Sequence, residues 1–203
     1  MSSQTTGCWS PLIERALRIA ATHHHSQTRK GGVIPYVTHP FGVAMLLQRF
    51  GFDDDELLAA ALLHDVVEDT ECTLDDLERE FPPSVVEIVA SLSERKDDDQ
   101  GQLRPWKERK LEHIAHVQAA NLEARAIVLA DKLHNLATMK IDLDSGQDVW
   151  SRFRADRNEV EWYHRTMIDA ACQYDESLQP LANACRRMLD SIMKQPSADC
   201  MKG

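Results

Sequence analysis

Residues 53–69 read DDDELLAAALLHDVVED. Four acids open the segment, and negative charge suits the positive end of a helix dipole. Leu57 to Leu63 then run without a polar residue, so a helix here is apolar on every face and is expected at the centre of the core. His64 and Asp65 follow inside the same predicted helix. Glu68 lies four residues past His64, and Asp69 four past Asp65, each about one turn on and on nearly the same face. A buried ionised carboxylate is expensive unless it is paired or binds a metal. The most apolar helix of the chain therefore carries the groups that most need a partner.

The flanking sequence has the same helical period. Residues 11–22 place Leu12, Ala16, Ile19 and Ala20 on one face, with Ser10 as N-cap and Pro11 in the first turn. Further helices are expected over 37–50, stopped by Gly51, and from Thr73 to Phe81, opened by a Thr cap with Asp75 and Asp76 and broken by Pro82-Pro83. Others are expected over 84–93, 105–118, 122–139, 148–175 and 177–194, with a mobile loop over 94–105. No stretch alternates in the manner of a strand. The expectation is an all-α protein of about eight to ten helices around one core. It is organised as a tail over 1–10, a single domain over 11–194 and a tail over 195–203.

Charge narrows the partners. The 203 residues carry a formal charge of −10, with 43% hydrophobic and 28% charged residues, which is a globular composition. The deficit is local: residues 53–80 hold twelve acids and one base, Arg79, so the remainder is nearly neutral. A nucleic-acid polymer or an anionic membrane needs a basic footprint and is not expected as partner. The seven-residue apolar run at 57–63 is far short of the roughly 20 residues that cross a bilayer. Residues 1–10 lack a secretory signal, and the five scattered cysteines form no CxxC pair. Both fit a cytoplasmic protein.

His39 heads the second predicted helix, His64-Asp65 lies in the third, and Asp131 sits in the apolar ALADKLHNL. Imidazole and carboxylate suit divalent Mn, Fe, Co, Ni or Zn. Residue types alone leave two readings: a shared metal site, or a core histidine with Asp131 paired to Lys132 or Lys140. The triplet His23-His24-His25 is not read as a metal cluster, because adjacent helical residues point in different directions.

In order along the chain stand RKGGVIPYVTHPFGVAMLL (29–47), ALLHDVVEDT (61–70), TLDDLEREF (73–81) and LADKLHNL (129–136), with a weaker VWSRF…EWYHR at 149–165. This combination resembles the HD-domain phosphohydrolases. It looks most like the hydrolase half of the RelA/SpoT alarmone enzymes and the stand-alone small alarmone hydrolases. The resemblance implies the HD helical bundle. It implies that His39, His64, Asp65 and Asp131 hold one divalent ion, usually Mn2+ in this family, and that Glu68 and Asp69 orient and deprotonate the attacking water. Arg29 and Lys30 match the family's nucleotide-site pair, and Asn135 a residue that contacts the nucleotide sugar. Lys107 and Arg109, with Arg104 and Lys110, follow the expected loop and either reach a pyrophosphate or form surface salt bridges.

His24 is read as support for the Arg-Lys loop, Thr70 as a cap, and Lys132 as a structural ion-pair partner facing away from the site. Arg157, Trp162 and Tyr163 either close the pocket or pack the terminal helices. No partner is assigned to His113, His116, His134 or His164, and His134 is read as surface or packing.

The function implied is a metal-dependent 3′-pyrophosphohydrolase of (p)ppGpp or (p)ppApp that releases pyrophosphate. The alternatives are a non-catalytic alarmone sensor, which predicts loss of a ligand or an acid where this chain keeps all six, and an HD phosphatase acting on another nucleotide such as NADPH. No synthetase half is expected in the chain. Constitutive activity and control through a homo-oligomer both fit.

Overall fold

The computed structural model describes residues 10–92, 102, 104–173 and 175–195. Within them the protein is all-α. The helices are α1 (Pro11–His23), α2 (Thr38–Arg49), α3 (Asp55–Leu63), α4 (Val66–Asp69), α5 (Leu74–Glu78), α6 (Pro83–Ala90), α7 (Trp106–Ala119), α8 (Leu122–Asp144), α9 (Arg157–Cys172) and α10 (Gln179–Met193). Short 3₁₀ turns occupy Trp150–Arg152 and Glu176–Leu178. Among the described residues no helix is long and apolar enough to cross a membrane.

α3 takes the central place that its sequence predicts. Leu57 through Leu63 are each at most 3% exposed, and the helix packs against α1, α2 and α6. Asp54 caps it by accepting from the backbone N–H groups of Glu56 and Leu57. Ser10 caps α1 as expected, and its hydroxyl also donates to Asp55 Oδ2 at 2.6 Å, tying the start of α1 to the start of α3. α8 lies against α2 and α10, while α9 bridges α7 and α10.

Several helix boundaries differ from the sequence reading. The segment expected as one helix over 53–69 is interrupted at His64 and Asp65, between α3 and α4. The turn gives His64 and Asp65 directions of their own while keeping the Asp69 N–H to Asp65 carbonyl bond at 2.9 Å. The helix expected from residue 148 begins only at Arg157. Asp156 caps it there, accepting from Glu159 N at 2.8 Å, while the Glu159 carboxylate accepts from Asp156 N at 3.1 Å. α8 also runs past residue 139 to Asp144. The predicted Thr73 cap is present, as a capping box with Asp76.

Cys72, Cys172 and Cys185 are buried free thiols. The tails at 1–9 and 196–203, and all of the 94–105 loop except Gln102, Arg104 and Pro105, lie outside the described residues.

Candidate active site

Three helical segments converge on one point. α2 brings His39 at its second residue, the α3–α4 turn brings His64 and Asp65, and α8 brings Asp131. His39, His64 and Asp131 each offer a ligand atom within 4.8 Å of the others. His39 Nε2 lies 3.1 Å from Asp131 Oδ1 and 3.5 Å from Asp65 Oδ2. His64 Nε2 lies 3.0 Å from Asp65 Oδ2. His39 is 1% and His64 7% exposed, so the cluster faces little water.

His64 Nδ1 donates to the Ala61 carbonyl at 2.8 Å, which leaves Nε2 as the nitrogen that faces the cluster. That Nε2 is buried, and the group nearest to it is the Asp65 carboxylate at 3.0 Å. An orphaned imidazole nitrogen facing two carboxylates and a second imidazole is a donor set that fits a divalent cation.

The charged groups of the cluster shift one another's proton affinities. Burial opposes a proton on His64, but the Asp65 and Asp131 carboxylates outweigh it and raise the ring to about 9. Burial also opposes charge on Asp65, where the neighbouring His64 holds the carboxyl well below its usual range. Asp131 is likewise held down against burial, chiefly by Lys132. His39 is lowered by burial in spite of Asp131.

Lys132 does not face away from the site. Its Nζ sits 2.6 Å from Asp131 Oδ2 with the side chain 12% exposed, so the predicted ion-pair role holds and its partner is the candidate ligand itself. Lys140 pairs with Asp144 instead.

The Arg-Lys loop folds back as a strap, closed by an antiparallel bridge between Thr28 and Pro35. It turns at Gly31, whose φ of +82° favours glycine. A Cβ at Gly31 would also meet Arg152 Nε at 2.5 Å, so the bare glycine lets the loop lie close to Arg152. Arg29 donates to Asn135 Oδ1 at 2.6 Å, and Asn135 Nδ2 donates to Asp131 Oδ1 at 2.5 Å. Two predicted substrate contacts are thereby chained to a predicted ligand. Lys30 Nζ lies 5.8 Å from the Phe153 ring centroid.

The acids sit on α4, with Glu68 half-buried and Asp69 exposed. Gln27, which sequence reasoning passed over, donates to the Asp69 carbonyl at 2.6 Å. His24 Nδ1 contacts Gln27 Oε1 at 2.7 Å, and its ring lies 4.7 Å from that of Tyr36, so its reading as loop support holds. Thr70 caps its turn through the Val66 carbonyl at 2.6 Å.

The structure does not join the remaining candidates to the cluster by any direct contact it describes. Lys107 Nζ lies 3.4 Å over the Trp162 ring, and Arg109 Nε donates to the Arg104 carbonyl. Arg157 donates to the carbonyls of Met193 and Gln195, closing the end of α10 rather than a pocket. Tyr163 is buried beside Trp106, which fits the packing reading of the terminal aromatics.

His134 is more than surface or packing: its Nδ1 lies 3.0 Å from His39 Nδ1. The i+3 spacing from Asp131 was the available signal.

A family model described as an HD domain matches residues 16–161. The chain belongs to the HD-domain family. This HD-domain chain is 34% identical over 186 residues to the human guanosine-3′,5′-bis(diphosphate) 3′-pyrophosphohydrolase MESH1, covering 91% of this chain and 93% of that one. Xenopus tropicalis MESH1 is 38% identical over 145 residues, 70% of this chain and 76% of that one. A solved structure of a metazoan SpoT ortholog that hydrolyses ppGpp superposes with a TM-score of 0.73 at 30% identity, covering 90% of this chain and 97% of that one. The protein is thus an HD-type hydrolase with MESH1 proteins among its relatives, and the expected HD helical fold is present.

Proposed function

We propose that the protein is a divalent-metal-dependent 3′-pyrophosphohydrolase of alarmone nucleotides, (p)ppGpp or (p)ppApp, acting in the cytoplasm. The observation that carries this reading is the meeting of His39, His64 and Asp131 within 4.8 Å, with Asp65 beside them. The names of the MESH1 relatives support ppGpp as substrate class.

In this reading His39, His64, Asp65 and Asp131 hold one ion, taken as Mn2+. When bound, it supplies Lewis acidity to a phosphoryl oxygen and acidifies water. Glu68 and Asp69, one turn past His64 and Asp65, orient the attacking water and take its proton. Attack falls on the phosphorus bonded to the 3′ oxygen; the P–O3′ bond breaks, the 3′ oxygen takes up a proton as the hydroxyl, and pyrophosphate carrying the water oxygen is released while the nucleoside keeps its 5′ phosphates. Arg29 and Lys30 receive the anionic ligand, Asn135 the sugar, and Lys107 and Arg109 the distal phosphates. A local set of cations and one ion meets a small anionic nucleotide even though the whole chain is at −10.

The test is turnover of ppGpp, pppApp and NADPH, side by side, by the purified protein with Mn2+. Pyrophosphate release from a 3′-pyrophosphorylated nucleotide is expected, and the panel ranks the bases. Release from none of them, or phosphate release from NADPH alone, would overturn the reading.

A further inference from the structure

The His39 ring has two nitrogens with different neighbours. Nε2 faces the cluster, 3.1 Å from Asp131 Oδ1, while Nδ1 lies 3.0 Å from His134 Nδ1. The two rings are 5.0 Å apart by centroid and inclined at 56°. Only one hydrogen fits between two nitrogens at that distance.

We propose that His134 is a positioning residue that fixes which nitrogen His39 presents to a divalent ion, and that Gly42 is the slot that seats it. The inference rests on the reading of His39 as a ligand. A neutral His39 that gives its Nε2 lone pair to an ion carries its hydrogen on Nδ1. That hydrogen is donated to His134 Nδ1, so His134 carries its own hydrogen on Nε2. His39 is thereby held at both ends, as ligating histidines are when the second nitrogen has a fixed acceptor.

Gly42 explains why the ring fits. It lies inside α2, one turn past His39, with no positive φ to require glycine there. A glycine inside a helix weakens it, so the residue calls for another reason. A Cβ at position 42 would lie 2.2 Å from His134 Nε2 and 2.3 Å from its Cδ2. Any larger residue must displace the ring that holds His39.

The experiment strips the full-length protein of metal and measures Mn2+ affinity by chelator competition, with the Co2+ absorption spectrum as a second readout and circular dichroism as the folding control. His134→Phe fills the space without an acceptor and is expected to weaken Mn2+ binding about 10- to 100-fold. His134→Asn restores an acceptor oxygen and is expected to recover most of that loss. Gly42→Ala is expected to weaken binding in the native background and to have no further effect beside His134→Ala, where no ring stands in its way. Wild-type Mn2+ affinity and an unchanged Co2+ spectrum in both His134→Phe and Gly42→Ala, with His39→Ala losing the ion, would overturn the positioning role alone. Full Mn2+ retention in His39→Ala would overturn the ligand reading beneath it.

Discussion

The Tyr36 hydroxyl donates a hydrogen bond to Asp65 Oδ2 at 2.7 Å and lies 3.3 Å from Asp69 Oδ2. One phenolic proton thus faces both a carboxylate proposed to hold the ion and a carboxylate proposed to serve the water. Burial, followed by the charge of Asp65, pushes the phenol far above its usual range, so it stays a donor throughout the physiological window.

Tyr36→Phe removes that proton and keeps the ring that lies against His24. Turnover is expected to fall about 10- to 100-fold, the usual effect of losing a partner of a metal ligand, with KM little changed. Steady-state kinetics beside a circular dichroism spectrum check this, and an unchanged kcat would reduce the contact to packing.

The cluster and the acids are expected to separate on substitution. His64→Ala and Asp65→Ala should abolish turnover and lower bound metal, while Glu68→Ala should abolish turnover and keep most of the metal. Elemental analysis of the three purified variants reads the difference. Equal metal loss in all three would place Glu68 among the ligands.

The difference between these groups was partly legible in the sequence. Residues 57–63 are apolar on every face, so the central place of α3 followed from hydrophobicity alone. The residues HD, ED and LADKL named the groups, but spacing within one helix cannot bring α2, α3 and α8 together. The resemblance to a known family supplied that. Tyr36, Gln27 and His134 were missed because each acts through a contact between distant segments: Tyr36 and Asp65 are 29 residues apart, and His39 and His134 are 95 apart. The late start of α9 was legible in principle, since Asp156 and Glu159 have capping-box spacing, but the helical period upstream of it drew the boundary too early.

That cap gives a stability prediction away from the site. Asp156→Ala removes the acceptor for Glu159 N and is expected to cost about 1 kcal/mol. For a chain of this size that lowers Tm by about 2–4 °C, with turnover per folded molecule unchanged. Calorimetry and a specific-activity assay check the two halves.

His164 gives the pH dependence. It is 7% exposed and donates Nδ1–H to the Val160 carbonyl, and burial pushes it down to about 4. The unfolded chain takes a proton at this residue below about pH 6.5, which the folded chain refuses until about 4. Its contribution is therefore full above pH 6.5 and is lost as pH falls through 4, a change of about 3 kcal/mol. Urea unfolding of the native chain and of His164→Leu across that range should differ in their dependence on pH, and parallel curves would show that the ring takes up its proton as readily in the fold as in the unfolded chain.

In the proposed reaction one divalent ion held by this cluster drives alarmone hydrolysis. Metal-stripped protein titrated with Mn2+, with bound ion and pyrophosphate released from ppGpp followed in the same samples, tests it most directly. The expected result is pyrophosphate release that rises in proportion to occupancy and saturates at one ion per chain. Full release in the presence of a chelator, or one bound ion per chain with no pyrophosphate from ppGpp, would contradict it.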